Sequence, residues 1–232
     1  MLNGVGKLPQ QITTDDLRKY LTDYQTQRHS SKVTIDNIRR ILSSFFSWLE
    51  DEDFIVKSPV RRIHKVKTAK IIKETYTDEA LELMRDNCST VRDLAIIDLL
   101  ASSGMRVGEL VTLNREDINF NERECVVFGK GNKERKVFFN DRSILRLSEY
   151  IDYRKDNCEY LFCSIKKPFQ RLNVGGVETN IRNIGEKAGV TNCHPHRFRR
   201  TMACNALKKG MPIEQIQALL GHENIETTKV YL

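Results

Sequence analysis

Apolar positions in the first fifty residues recur at helical spacing. Ile12-Thr-Thr-Asp-Asp-Leu17 offers a threonine N-cap and early acids, and Leu17, Tyr20, Leu21 and Tyr24 then repeat every three or four residues. A second helix is expected from about Thr34. Its Ile38, Ile41, Leu42, Phe45, Phe46 and Leu49 form an amphipathic stripe that ends in the acidic run Glu50-Asp-Glu-Asp53. Pro59 argues against a continuous helix in the basic stretch that follows, and Thr77-Asp-Glu reads as the next helix start.

Beyond that point the pattern mixes periods. Val91 to Ser103 is an apolar-rich helix stopped by Gly104, and Val107 to Leu113 is a short one. Cys125-Val-Val-Phe128 and Arg135-Lys-Val-Phe-Phe139 alternate as strands around a turn of Gly129-Lys-Gly-Asn-Lys-Glu. Asp141–Lys155, Val177–Lys187, His196–Lys209 and Pro212–Leu220 read as helices, with Gly210 and Gly221 as stops for the last two. Tyr160-Leu-Phe-Cys163 is expected as a short strand, and a last short helix carries Thr227-Thr-Lys-Val-Tyr231. The predicted fold class is mainly α with a small antiparallel β-sheet. Residues 1–66 form a partial helical domain, 67–76 a basic linker and 77–232 a larger α+β domain.

Length and composition narrow the classes without choosing among them. The chain has 232 residues, 40% hydrophobic and 30% charged, enough to bury a core. No run approaches the ~18–20 apolar residues of a membrane span. The N-terminus lacks a signal-peptide apolar core, so a cytoplasmic setting is expected. Cys88, Cys125, Cys158, Cys163, Cys193 and Cys204 form no C-x-x-C pair, and reduced thiols fit that setting.

Charge changes the picture through its placement. The net charge is +7, from 38 Lys plus Arg against 31 Asp plus Glu. Lys57 to Lys73 holds seven Lys/Arg and no acid, and Thr191 to Ile213 holds five Lys/Arg, two His and no acid. Solvated faces interleave signs; these stretches favour a polyanion, above all nucleic acid. Residues 1–76 carry 14 basic and 9 acidic residues and residues 77–232 carry 24 and 22, so the amino-terminal arm and linker supply the general attraction.

Four segments are candidates for chemistry. In His194-Pro-His-Arg-Phe-Arg-Arg-Thr201, His196 and Arg199 share a face at a helix start, where a guanidinium fork and the helix dipole suit a phosphate. Arg106 follows a glycine turn; its plain role is to pair with Glu109. Lys130 in the hairpin has the plain role of a solvated turn lysine, and His222 and Tyr231 those of a cap and an apolar anchor. Cys193, His194, His196 and Cys204 match no common zinc spacing, so no metal is expected. There is no P-loop either.

Taken together and in order, these segments resemble the tyrosine recombinase family, the phage integrases and Xer-type recombinases. The matching residues are Ser103-Gly-Met-Arg-Val-Gly-Glu-Leu110, Gly129-Lys-Gly-Asn-Lys-Glu-Arg135, His196-Arg-Phe-Arg199, Leu220-Gly-His222 and Thr227-Thr-Lys-Val-Tyr231. The resemblance covers about residues 10–232. It implies a helical core-binding domain joined to an α+β catalytic domain, which cut and rejoin DNA through a 3′-phosphotyrosyl intermediate, on a mobile element. Tyr231 would be the nucleophile, Arg106 and Arg199 would hold the non-bridging oxygens, His196 would assist proton transfer, Lys130 would be the general acid, and His222 would bond the phosphate. Arg61, Arg62, Lys65, Lys67 and Lys70 of the basic stretch, Lys133 and Arg135 of the hairpin, and Arg200 would contact DNA, with solvated surface as the alternative for Lys133 and Arg135.

The implied partners are double-stranded DNA with a specific recombination site and further copies of the chain in a tetramer, with no membrane, no cofactor and a nucleoid location. Arg200 stands where the family often has histidine. Only about 105 residues precede Arg106 and one follows Tyr231, so the chain is expected to be short at both ends for this family. That bears on cooperative synapsis and leaves the cleavage chemistry intact. Three rivals stay open: a catalytically limited DNA-binding remnant, a type IB topoisomerase-like nicking-closing enzyme, and a metal-dependent nuclease.

Overall fold

A computed structural model describes residues 6–65, 73–129, 134–229 and 231. The chain divides into two compact units, Met1–Ile72 and Lys73–Leu232.

The first unit is built on two helices, α1 (Thr14–Arg28) and α2 (Lys32–Asp51). Thr13 and Asp16 close a reciprocal capping box at the start of α1. Lys7 pairs with Asp16 and, with the Thr13 bonds, holds its carboxyl down at about 2. The helix ends at His29, in the left-handed region at φ 46°. Ser31 then caps α2, which starts two residues earlier than the apolar pattern alone predicts, because the cap and not the stripe sets the boundary. Leu17 and Leu21 meet Ile35, Ile38, Leu42, Phe46 and Leu49 in the core. Pro59 does interrupt the helical path: Pro59–Arg62 is a 3-10 turn that drives Val60 into this core, while Thr14 Oγ1 donates to the Pro59 carbonyl at 2.7 Å.

The second unit is organised around α4 (Val91–Ser103), apolar-rich and buried along most of its length, with Ala95, Ile97, Leu99 and Leu100 fully covered. A helix with that pattern must be enclosed. α6 (Asp141–Tyr153) and α8 (Pro195–Lys208) pack on it. α3 (Asp78–Asp86), α5 (Val107–Thr112), α7 (Val174–Lys187), α9 (Ile213–Leu220) and α10 (Ile225–Lys229) complete the described helices.

The sheet has three antiparallel strands in the order β1 (Ile118–Asn119), β2 (Glu124–Phe128) and β3 (Glu134–Phe138). Cys125 faces Val137 and Val127 faces Arg135 across the β2–β3 pair. The expected hairpin is therefore present with one short strand added. Two residues carry no readable alternation, so β1 had no signal in the pattern. The expected strand Tyr160–Cys163 is corrected: it makes only two isolated bridges, Asn114 to Tyr160 and Cys163 to Arg171. Its backbone bonds go to two different partners, Leu113 and Leu172, so no ladder forms although Leu161 and Phe162 are buried.

Residues 73–76, assigned by composition to the linker, belong to the second unit. The Tyr76 N–H donates to Thr201 Oγ1 at 2.9 Å, its ring lies 4.6 Å from that of Phe198, and Arg197 sits 4.3 Å over it. Arg197 and Arg200 also donate to the carbonyls of Thr75 and Glu74. One buried aromatic thus ends the linker, a role the surrounding lysines conceal.

Truncating the central helix should be costly. Leu100→Ala is expected to lower the unfolding free energy by about 2–5 kcal/mol, the range for a fully buried leucine, as read from urea titration. A change under about 1 kcal/mol would show that α4 is not the packing centre.

Candidate active site

Three turns bring the candidate residues together. The first follows α4: Gly104 adopts φ 60°, Met105 is buried, and Arg106 stands extended as the N-cap of α5. The Arg106 N–H donates to Glu109 Oε2 at 2.7 Å, and its guanidinium donates to Oε1 at 2.8 Å and to the Gly221 carbonyl at 3.1 Å. The plain pairing with Glu109 and a place in the site are therefore both present. Arg106 is partly exposed while Glu109 is buried.

The second turn starts α8. His194 caps it and Pro195 occupies its first turn, which places His196 and Arg199 on one face. Arg199 is 1% exposed. It donates to the carbonyls of Gly104, at 2.8 Å, and Leu220. Burial, then the nearby Arg106 charge, pushes its pKa down to about 10. Its Nε has no hydrogen-bond partner among the described residues. A buried, incompletely satisfied cation is a standing receptor for an anion.

The third turn ends α9. Gly221, at φ 61°, lets the chain reverse, and the His222 N–H donates to the Gln217 carbonyl at 3.1 Å. His222 Nδ1 lies 2.9 Å from Thr228 Oγ1 of α10, and Thr228 is fully buried. Tyr231 follows α10. Its N–H donates to the Thr228 carbonyl at 2.9 Å, and Cys204 Sγ donates to the Tyr231 carbonyl at 2.9 Å.

The three turns converge on the phenol. Tyr231 Oη lies 2.8 Å from His196 Nε2, and the His196 and His222 rings meet the Tyr231 ring edge-on at 5.3 and 5.4 Å. Burial, followed by the charge of Arg200 and Arg199, lowers the pKa of His196 to about 4. His196 is also open to solvent; its imidazole is neutral at pH 7, and in the tautomer protonated at Nδ1 its Nε2 faces the phenol as an acceptor. Burial, then Arg199 and Arg106, lowers His222 likewise to about 4. A cleft of about 1070 Å³ opens beside this cluster, lined by Arg106, His196 and Arg199 and by Phe128 of β2. A second, of about 490 Å³, shares Arg106 and is lined by Arg135 and His222.

The structure thus brings Arg106, His196, Arg199, His222 and Tyr231 to one place. Lys130, Lys133, Lys67 and Lys70 lie outside the described residues. Arg61, Arg62 and Lys65 are exposed on the first unit, as a phosphate contact requires. The structure gives two residues expected to contact DNA a buried setting. Arg135 is not on the hairpin surface: it turns inward, and its guanidinium donates to Glu109 at 2.6 Å. Arg200 is 4% exposed; it donates to the Glu74 carbonyl and lies 6.0 Å from the Tyr231 ring. Both sit on the buried side of their elements, where basic character alone gives no direction. The contacts of Thr228 with His222 and of Cys204 with the Tyr231 carbonyl were not read from the sequence.

A three-turn cluster of two arginines, two histidines and a tyrosine, on a helical unit with a small sheet, defines a class. The chain belongs to the phage integrase family: the family's model matches residues 62–232, and that of the phage integrase N-terminal SAM-like domain matches residues 1–55. Among named relatives it is similar to the tyrosine recombinase XerC of Staphylococcus aureus (strain bovine RF122 / ET3-1), 30% identical over 225 residues that cover 93% of this chain and 75% of the relative. The crystal structure of XerA recombinase matches with a TM-score of 0.64 and 28% identity over 99% of this chain and 81% of that one. XerH recombinase bound to a palindromic difH substrate shares the fold, with a TM-score of 0.79 at 20% identity over 96% of this chain and 69% of that one. The chain is accordingly a tyrosine-type site-specific recombinase, an enzyme that cleaves and rejoins DNA strands.

The two histidines give the site a pH signature. Both fall from 6.5 to about 4 on folding, so the unfolded chain binds protons that the folded chain refuses. Their contribution to stability is complete above 6.5 and is lost as the pH falls from there toward 4. Urea midpoints should therefore drop across that window, and drop less in a His196→Gln, His222→Gln double variant. Equal slopes in the two proteins would contradict the depressed values.

Proposed function

We propose that the cluster at Tyr231 performs strand exchange at a specific DNA site by in-line attack on one phosphodiester. The observation that carries this reading is the 2.8 Å approach of Tyr231 Oη to a neutral His196 Nε2, with the buried Arg199 one helical turn away. A phenol has a reference pKa near ~10 and is a poor nucleophile at neutral pH. His196 takes its proton, and the Tyr231 oxygen forms the new bond to phosphorus while the bond to the 5′ oxygen breaks. An imidazole lowered to about 4 is by itself a weak base. The incoming phosphate reverses that: its negative charge offsets Arg199 and Arg200 and stabilises the imidazolium.

Charge that builds on the non-bridging oxygens is met by the Arg106 and Arg199 forks and by His222. These donors are preorganised: the two arginines are fixed by the Glu109 carboxylate and backbone carbonyls, and His222 by the Thr228 hydroxyl. Lys130 gives its proton to the leaving 5′ oxygen. The 3′-phosphotyrosyl link keeps the energy of the broken bond, so attack by another strand's 5′ hydroxyl reverses the step without ATP. Arg61, Arg62 and Lys65, with Lys67, Lys70 and Lys133, hold phosphates and fix register without reading sequence.

The substrate is duplex DNA with a recombination site on a mobile element. Four copies of the chain assemble on it, in the nucleoid of the cytoplasm. No described helix is long and apolar enough to cross a membrane. The XerH structure was determined on a recombination-site substrate, which supports the DNA partner.

A duplex selected from a random-sequence pool by binding to the chain, then nicked to trap the intermediate, tests this reading. The unmodified chain should form a covalent adduct that survives denaturing electrophoresis, and Tyr231→Phe should bind the duplex and form none. An adduct in that variant would sink the assignment of the nucleophile; none in the unmodified chain would favour a binding-only remnant. Cleavage is also expected to persist in excess EDTA, whereas its loss would point to a metal-dependent nuclease. Relaxation of supercoiled plasmids without regard to sequence would favour a topoisomerase-like enzyme.

A further inference from the structure

One inward-turned cation on β3 has no part in the mechanism above. Arg135 donates through Nη2 to Glu109 Oε2 at 2.6 Å. That same oxygen accepts the Arg106 N–H at 2.7 Å, and Oε1 accepts the Arg106 guanidinium at 2.8 Å. Glu109 is 5% exposed and the Arg135 side chain 11% exposed. A single buried carboxylate is therefore shared by two guanidiniums. The Nε and Nη1 of Arg135 have no hydrogen-bond partner among the described residues, so Glu109 is its described polar anchor.

The alkyl part of Arg135 does a second thing. It lies against Gly221 so closely that a Cβ on that residue would fall 2.6 Å from Arg135 Cδ. Gly221 is in the left-handed region, its carbonyl accepts from Arg106 at 3.1 Å, and His222 comes next. Arg135 thus touches the supports of both Arg106 and His222 while its own described bond is to neither.

Charge explains why two arginines are needed. A buried Glu109 facing Arg106 alone would cancel the charge that Arg106 offers to a phosphate. With Arg135 as the second partner the trio stays a net cation, and the carboxylate still fixes the Arg106 fork. Glu109 itself lines the cleft, and in this arrangement both of its oxygens are occupied by arginine donors.

We propose that Arg135 is a positioning residue for strand transfer: it fixes Glu109, and through it the Arg106 fork and the Gly221–His222 turn, in the geometry that receives the scissile phosphate. This rests on the roles proposed above for Arg106 and His222. It replaces the DNA-backbone contact expected from the hairpin's composition.

The test uses the full chain and the same nicked duplex, in single-turnover cleavage at saturating protein. Arg135→Met is expected to slow cleavage about a hundredfold, the scale of an ångström-level misplacement. Duplex affinity should stay within about threefold, because no phosphate contact is removed. Arg135→Lys, which restores the charge without the fork, should recover about tenfold of that loss. In a Glu109→Gln background, adding Arg135→Met should cost less than about threefold more, since the two act through one carboxylate.

Three results overturn the proposal. Weaker binding with a salt slope reduced by about one, at an unchanged saturated cleavage rate, makes Arg135 a phosphate contact. A loss of rate that only tracks the unfolded fraction in urea makes it structural. Additive losses in the Glu109→Gln background remove the coupling. Should Arg135→Met fail to fold, Arg135→Lys and Gly221→Ala, which displaces the side chain, carry the same comparison. Absence of any adduct with the unmodified chain ends the reading of the site itself; a normal adduct with an unaffected Arg135→Met ends this inference alone.

Discussion

The burial of the Arg199 guanidinium is the constraint on which the second unit depends. A charge at 1% exposure is tolerated only if the fold supplies partners, and here these are the Gly104 and Leu220 carbonyls. Both carbonyls lie where a helix ends and its last acceptors lack intrahelical donors. One side chain therefore ties the end of α4 to the end of α9, and both to α8. The ties position Arg106 after the first turn and His222 after the second. The same burial that holds the turns together pushes the pKa of Arg199 down to about 10 and leaves its Nε without a hydrogen-bond partner among the described residues.

Around that cation the site keeps its positive character by arithmetic of small groups. Glu109 is a buried carboxylate in direct contact with Arg106, and Arg135 shares it. Arg199 and Arg200 lie near His196, and desolvation with their charge keeps the imidazole neutral. Neutrality is what a proton acceptor for Tyr231 requires. Cations that would be expected only to bind phosphate thus also set the protonation state of the imidazole beside the Tyr231 phenol.

Legibility differed by element. Wherever one periodicity persisted over several turns, as along α2 from Ile35 to Leu49 or through α4, the helix was readable, because burial of one face or of all faces leaves a pattern. Caps moved the boundaries: Ser31 and Asn173 begin α2 and α7 ahead of their apolar stripes. β1 was invisible because two residues have no period, and Tyr160–Cys163 looked like a strand because buried Leu161 and Phe162 resemble one locally. Tyr76 hid in a basic stretch and proved to be the anchor of the second unit's first residues.

The candidate site divides in the same way. Spacing along the chain put His196 and Arg199 on one face and placed glycines beside Arg106 and His222, since those relations are local and follow from helix geometry and left-handed turns. Residue order and intervals carried the family. Direction in space was not local. Arg135 and Arg200 are as basic as Arg61 and Arg62, yet the first two point inward and the last two outward. Basicity names a charge and leaves its partner open; which charge is buried depends on what the neighbouring elements present to it, here Glu109 to Arg135 and the Glu74 carbonyl to Arg200. The sequence by itself determined the helices, the hairpin and the chemical types at the site. Only the packing of α4, α8 and α9 decided which of those groups meet, because contacts between Gly104, Arg199 and Leu220 join residues far apart in the chain and exist only once the core has closed.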